Sequence, residues 1–195
     1  ILTYHVVPGN VSSGQVVKMT SAKTVQGGSV KISAKDGAVM IDGAKVVKAD
    51  VAASNGVIHV IDSVIVPPTD DVVATAIAAG GFGQLAGALT SANLVSALQG
   101  KGPFTVFAPT DAAFAKLSAV PSGDALKDVL LYHVVEGAIG SGNLKAGSVP
   151  TLLSSKNLLI DLSSGVKVNS SNVTTANILT KNGIIHVVDS VLVPN

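Results

Sequence analysis

The chain holds four histidines, His5, His59, His133 and His186, and no cysteine. Two of them are followed three residues later by an acid, His59 by Asp62 and His186 by Asp189, and each acid is followed by a serine, Ser63 or Ser190. An imidazole, a carboxylate and a hydroxyl are the parts of an acyl-transfer site, and imidazole with carboxylate can also hold a metal. The spacing argues against both. An offset of three puts His and Asp on opposite faces of a strand. The surrounding VIHVIDSVIV is apolar enough to be buried on both sides. A buried imidazole is usually hydrogen-bonded to backbone or to a carboxylate. Structural roles are therefore expected for His59, Asp62, His186 and Asp189, and core hydrogen bonding for Ser63 and Ser190. Thr110 before Asp111 reads as a helix N-cap with an acid in its first turn, favoured by the helix dipole, rather than as a general acid. There is no nucleophile elbow, phosphate loop or H-E-x-x-H, and GGFG at 80–83 has too little context to be a nucleotide loop. No catalytic residue, no metal and no cofactor is expected.

The elements that position these residues occur twice. NGVIHVIDSVIVP at 55–67 returns as NGIIHVVDSVLVP at 182–194, with ten of thirteen positions identical and the other three exchanging one aliphatic residue for another. LTYHVVPG at 2–9 returns as LLYHVVEG at 130–137, so the offset is 127 for the first phrase and 128 for the second. A repeat of that length is a domain rather than a solenoid unit.

Composition narrows the class. Apolar residues make up 47% of the chain, charged residues 13% and aromatics 3%, so the core is built from small aliphatics. A net charge of +1 with dispersed lysines argues against a nucleic-acid surface. The first residues, ILTYHVVPGN, do not read as a secretory signal. Residues 72–98 carry no charge, but Gly80-Gly81, Gly83, Gly87, Gln84 and Asn93 punctuate them into short buried helices rather than one membrane span.

Taken in order, the first copy reads as all β: a strand at YHVV (4–7), a hairpin around Lys35-Asp36-Gly37, a strand at 44–53 and the repeated phrase. Pro67-Pro68-Thr69 is a linker. Asp70 or Asp71 caps a helix over roughly 71–79, a second helix spans 82–89, and Thr90 or Ser91 caps a third ending at Gly100. A strand with alternating Phe104, Val106 and Ala108 precedes the helix capped by Thr110, and Asp124 opens another, ALKDVLLYH, that leads into YHVVEG. A hairpin about Ser163-Ser164-Gly165, a strand at NVTTANILT and the repeated phrase complete the second copy. Leu2 matches Leu130, so nothing in the first copy corresponds to the helical residues of about 70–129.

GPFTVFAPTDAAF at 102–114, YHVV at 132–135 and NGIIHVVDSVLVP at 182–194 resemble the signature boxes and the Tyr-His motif of the fasciclin domain. The resemblance implies an α+β fold, a β-sandwich or wedge with a helical N-terminal half packed at one side. Residues 71–195 are then a complete domain, 68–70 the Pro-rich linker, and 1–67 the C-terminal β half of a preceding domain. It implies a non-enzymatic adhesion or matrix module, secreted or at the cell surface, with matrix or cell-surface proteins or glycans as partners. In some animal members the Tyr-His region binds integrin, which makes Tyr4, His5, Tyr132 and His133 candidate partner-binding residues. An Asp-Ile element also used there is altered here to Asn177-Ile178 in one copy and Asp50-Val51 in the other. Sequons at Asn10, Asn169 and Asn172 are candidate glycosylation sites.

A different function class is a carrier of small apolar ligands such as lipids, because the Ala- and Gly-rich stretch 72–98 can leave grooves between helices. A β half without helices would expose apolar strand faces. The first copy is accordingly expected to be a fragment of a longer chain or to be completed by another chain, through self-association or swapping.

Overall fold

The computed structural model describes residues 1–35 and 37–194. Asp36, the centre of the expected first hairpin, lies outside them. The chain divides into two compact units, Ile1–Pro68 and Thr69–Asn195.

The first unit begins with a 3-10 turn at Leu2–His5 and a single helical turn, α1 (Ser13–Val16). Five antiparallel strands follow: β1 (Ser21–Lys23), β2 (Ser29–Lys35), β3 (Ala38–Ile41), β4 (Ala44–Ala53) and β5 (Gly56–Ile61). They form one sheet in the order β1-β2-β3-β4-β5. Tyr4, Val16, Val30, Ile32 and Ile65 are central to the core on its inner face.

The second unit opens with α2 (Val72–Ala79), capped by Asp71, whose carboxylate accepts from the Val73 and Ala74 amides at 3.0 and 2.9 Å. Gly80, at φ 72°, stops it in a backbone region that costs glycine nothing. α3 (Gly83–Ser91), α4 (Val95–Leu98), β6 (Phe104–Pro109), α5 (Asp111–Phe114), α6 (Gly123–Tyr132) and β7 (Val134–Glu136) complete the helical half. After a 3-10 turn at Ser141–Asn143 come β8 (Gly147–Pro150), β9 (Asn157–Asp161), β10 (Lys167–Val168), β11 (Ser171–Thr180) and β12 (Gly183–Val188). The sheet order is β7-β6-β12-β11-β10-β9-β8.

Its last five strands repeat the order of the first unit's sheet, with β12 in the place of β5. The addition is β6, which pairs with β12 in parallel from Gly183↔Phe104 to Val188↔Pro109, and β7 beyond it. Alternate residues of β12 then face two cores. Ile185 and Val187 lie under α2, α3 and α6 with Val72, Leu85 and Leu130. Val188 joins Phe107, Tyr132, Leu158 and Ile160 on the other side. The architecture is α+β.

Several local expectations are corrected. YHVV at 4–7 is not a strand: Tyr4 and His5 close a 3-10 turn. In the second copy Tyr132 ends α6 and His133 caps it, as expected for a helix over ALKDVLLYH. Only Val134–Glu136 extends, because β6 is there to pair with it; Val6, without such a neighbour, is exposed. The first copy is not free of helix, since α1 and the 3-10 turn are present. Thr90 and Ser91 do not cap α4; they end α3, and the Thr90 hydroxyl donates back to the Ala86 carbonyl at 2.9 Å. The repeated strand is buried on both faces only in its second copy, because β5 has no helical layer over it. No helix among the described residues is long and apolar enough to cross a membrane; residues 72–98 fold as three short helices.

Candidate functional site

The two copies of the repeated phrase, with the Tyr-His segments, hold most of the polar chemistry of both units. His186 is fully buried, stacked on Phe107 at 5.6 Å between ring centres. Its Nε2 lies 2.9 Å from the Ile139 carbonyl and its Nδ1 3.4 Å from the Asn177 amide. A carbonyl accepts and an amide donates, so the ring is the neutral Nε2–H tautomer. Burial pushes its pKa below the ordinary value. His133 is the other tautomer. Nδ1–H donates to the Val129 carbonyl at 2.7 Å and Nε2 accepts from the Leu192 amide at 2.9 Å. Burial lowers its pKa to about 4.

The first unit repeats half of this. His59 Nε2 reaches the Val11 carbonyl at 2.9 Å, the counterpart of Ile139, and His5 Nδ1 reaches the Ile1 carbonyl at 3.0 Å, the counterpart of Val129. His59 is only half buried and His5 is exposed.

The acids turn away from the histidines. Asp189 accepts from the Asn172 amide and side chain, at 2.9 and 2.8 Å, and from the Ser171 hydroxyl at 3.0 Å. These bonds, led by that of the Asn172 side chain, lower its pKa to about 2. Asp62 makes the corresponding bond to the Lys45 amide at 2.9 Å. Ser190 and Ser63 donate to their neighbouring Asp at 3.3 and 3.1 Å, but they lie just beyond the strands rather than inside them. The parts of a triad are thus adjacent in sequence and separate in function: the histidines are spent on loop carbonyls, the acids on strand ends. Among the described residues no group of His, Asp and Glu could hold a metal ion.

Tyr4 and Tyr132 form matching corners. Tyr132 donates to the Asn157 carbonyl at 2.8 Å and accepts from Asn169 Nδ2 at 3.1 Å; Tyr4 donates to the Ser29 carbonyl at 2.9 Å and contacts the Asp42 carboxylate at 2.7 Å. Burial, with the Asp42 carboxylate beside it, pushes the Tyr4 hydroxyl pKa far up. Asp42 and Asn169 sit at φ 49° and 53°, left-handed positions that Asp and Asn tolerate. With Tyr4, Tyr132 and His133 buried, their side chains have no surface to offer a partner. Of the four Tyr-His residues expected to meet a partner, His5 alone is exposed.

The Asp-Ile position is equally structural. Asp50 and Asn177 are left-handed, at φ 56° and 61°, where the register of the sheet shifts. Asn177 accepts from the Ser141 amide at 2.8 Å, and Asp50 from the Ser13 amide at 2.8 Å and from the Ser13 hydroxyl. Of the sequons, Asn169 is committed to the tyrosine corner, Asn172 is exposed but bonded to Asp189, and Asn10 is exposed.

Thr110 caps α5, accepting from the Ala113 amide at 3.2 Å. The Asp111 carboxylate lies in the first turn of α5, as expected, and also accepts from the Gln84 amide at 2.8 Å, in the first turn of α3. Sequence reasoning also missed Asn182, read only as a turn residue. Its buried side chain accepts from the Val72 amide at 3.0 Å and donates to the Leu98 and Gly100 carbonyls, each at 2.8 Å. It thereby ties the start of α2 to the end of α4. Asn182→Ala strands two buried backbone groups, the Val72 amide and the Leu98 carbonyl, and should cost roughly 2–3 kcal/mol in urea unfolding. Asn55→Ala, at the exposed equivalent, should change stability by less than about 0.5 kcal/mol.

The apolar space between helices and sheet, lined by Val72, Phe82, Leu85, Leu130 and Ile185 among others, has a cavity volume of about 20 Å³. That is room for about one water, against the roughly 300 Å³ or more of a ligand pocket. The helical layer closes on itself, so the carrier reading gains no support there.

Comparison with known proteins agrees with this architecture. The family model for the fasciclin domain matches residues 1–67 and 80–194. The uncharacterized protein sll1735 of Synechocystis is 40% identical over 128 residues, covering 63% of this chain and 96% of that protein. Transforming growth factor-beta-induced protein ig-h3 of Sus scrofa is 28% identical over 204 residues, and the match spans all of this chain but only 30% of that protein. Among solved structures, a FAS1 domain pair from the insect cell adhesion molecule fasciclin I aligns over 98% of this chain and 78% of that one, with a TM-score of 0.54 and 20% identity. The chain belongs to the fasciclin domain family, whose members are adhesion- and matrix-type proteins.

Proposed function

We propose that the chain is a non-catalytic adhesion or matrix module, secreted or displayed at a cell surface, that binds matrix or cell-surface proteins or glycans. The observation that carries this reading is that the groups able to do chemistry are consumed by the fold. His133 and His186 are neutral and buried, with both ring nitrogens occupied. Tyr132 is likewise committed to the Asn157 carbonyl and Asn177 to the Ser141 amide. Family membership supports the adhesion class, and the insect neighbour of the same fold is itself a cell adhesion molecule.

Recognition in this reading uses exposed surface rather than the Tyr-His side chains. Asn10, exposed in the turn after Pro8-Gly9, is the sequon best placed for glycosylation if the chain passes through a glycosylating pathway. The test is attachment of cells, or of immobilised matrix protein and glycan, to a surface coated with the folded chain. Retention above an albumin coat, lost when the chain is unfolded before coating, is expected; retention no better than albumin contradicts the reading.

A further inference from the structure

The lysines of the first unit are far apart in sequence, yet its sheet gathers four of them into a row. Lysine is the chain's only cationic side chain besides histidine: six stand with four aspartates in residues 1–68, and seven with eight acids in the rest. Paired strand residues share a face, and chain neighbours alternate between faces. Ala22, Val30, Ile32, Ala44 and Ile61 belong to or pack on the core. Lys23, Lys31 and Lys45, beside them in the chain, therefore face away from it, as does Lys48, the partner of Val60. The register steps each lysine further along as the sheet is crossed. Lys31 pairs with Ser21, two residues from Lys23; Lys45 pairs with Met40, whose other partner is Ser33, two residues past Lys31. With ~4.8 Å between strands and ~3.4 Å per residue, consecutive members of this diagonal are about 7–12 Å apart. All four lysines are exposed, and among the described residues none of their ammonium groups has an ion-pair or hydrogen-bond partner. The carboxylates at the strand ends are engaged elsewhere: Asp42 accepts from the Tyr4 hydroxyl and the Lys31 amide, and Asp62 from the Lys45 amide.

The second unit keeps the pleat and drops the charges. Register places Pro150 where the first unit has Lys23, Leu159 for Lys31, Asn172 for Lys45 and Thr175 for Lys48. The Asn172 amide donates to Asp189 as the Lys45 amide does to Asp62. These four positions are exposed although helices lie over β12, so the diagonal is clear of the helical layer. The single lysine on it, Lys167 in place of Met40, stands opposite Asp161.

We propose that Lys23, Lys31, Lys45 and Lys48 are a docking row for a linear polyanionic polysaccharide, whose carboxylates or sulfates they meet in succession. This rests on the adhesion reading above and names its glycan. The row is about 25 Å long on one sheet face, which suits an extended chain with periodic anionic groups. Each ammonium is a point charge that takes either anion, without the fork by which arginine grips phosphate. Duplex nucleic acid, with a charge about every 1.7 Å, would find one sparse row of cations. An anionic bilayer is bound by a broad basic patch or an amphipathic helix, and the row is neither.

The test measures binding of residues 1–195 to immobilised dextran sulfate and polygalacturonate, with neutral dextran as the blank, over a salt series. The native chain should bind at least one polyanion and not dextran, and its affinity should fall as salt rises. The fourfold variant Lys23→Gln, Lys31→Gln, Lys45→Gln, Lys48→Gln should bind at least ~30-fold more weakly near 0.1 M salt. Arginine at the same four positions should retain binding. A control with the same loss of charge, Lys101→Gln, Lys127→Gln, Lys145→Gln, Lys181→Gln, removes exposed lysines of the second unit and should change affinity less than ~3-fold. If the fourfold variant does not fold, Lys31→Glu and Lys45→Glu decide singly, each weakening binding at least ~5-fold. The proposal is overturned if the native chain binds neither polyanion, if the row variants bind like the native chain, or if the control loses as much. It is also overturned if duplex DNA, or vesicles of phosphatidylserine and phosphatidylcholine, bind more tightly than either polysaccharide. Failure here with cells still held by the coated chain rejects the row and leaves the adhesion reading standing. Polysaccharide binding without cell or matrix retention does the reverse.

Discussion

Gly183→Ala should destabilise the second unit by about 3 kcal/mol, while Gly56→Ala, the same change in the same phrase, should be neutral or slightly stabilising. At Gly183 an added methyl would meet backbone, not a movable side chain: besides overlapping the Phe104 oxygen it would sit 3.0 Å from the Phe104 carbonyl carbon and 3.1 Å from its nitrogen. Relief requires β6 to move off β12, and β6 carries Val106 and Ala108 into one core and Phe107 into the other. Gly56 is open on that side and has no left-handed φ. Alanine there loses no contact and removes some freedom from the unfolded chain. Urea titrations followed by circular dichroism measure both. Similar losses from the two substitutions would mean that β5 has a neighbour after all.

Lowering the pH from 6.5 to 4 should remove about 3 kcal/mol of stability from the second unit through His133 alone. The folded pKa of about 4 lies below the ordinary 6.5, chiefly because the ring is buried. Between those values the unfolded state binds the proton and the folded state does not. The contribution is therefore complete above pH 6.5, falls as the pH drops, and is gone below about 4. Protonation of Nε2 also removes the acceptor for the Leu192 amide, so the segment after β12 should be the first to loosen. His186, lowered in the same direction, steepens the loss. Asp189 acts in a lower window, its stabilisation present above the usual carboxylate value and lost as pH falls towards its folded value of about 2. His133→Gln should lower stability at pH 7 and flatten the dependence between 6.5 and 4. An unchanged slope would assign the acid sensitivity elsewhere.

The duplication was legible because it is written in identical letters. Each letter of the second phrase has a job: Asn182 ties helices, Gly183 admits β6, Ile185 fills the helical core, His186 holds a loop, Asp189 closes a strand end. What escaped reading was tertiary. Tyr4-His5 looks extended because YHVV is β-branched at its end, yet it closes a 3-10 turn. Asp111 caps a helix far earlier in the chain, a partnership no local pattern announces. Burial of the repeated strand on both faces was inferred from composition, but composition is shared by both copies. The difference comes from residues 72–131, which pack over β12. The burial of Tyr4 also escaped reading: a tyrosine two residues from exposed Val6 gives no sign that its hydroxyl is the corner of a sheet.

The most direct test of this account is site-resolved amide exchange on the chain of residues 1–195 at neutral pH, comparing 56–61 with 183–188. The two strands are nearly identical in sequence, so intrinsic exchange is matched and only structure separates them. Protection along Gly183–Val188 should approach that of global unfolding, with alternate amides of Gly56–Ile61 on the open edge exchanging at least ~100-fold faster. Equal protection of the two strands would contradict the claim that one repeated phrase lies between two neighbours in its sheet and the other at a sheet edge.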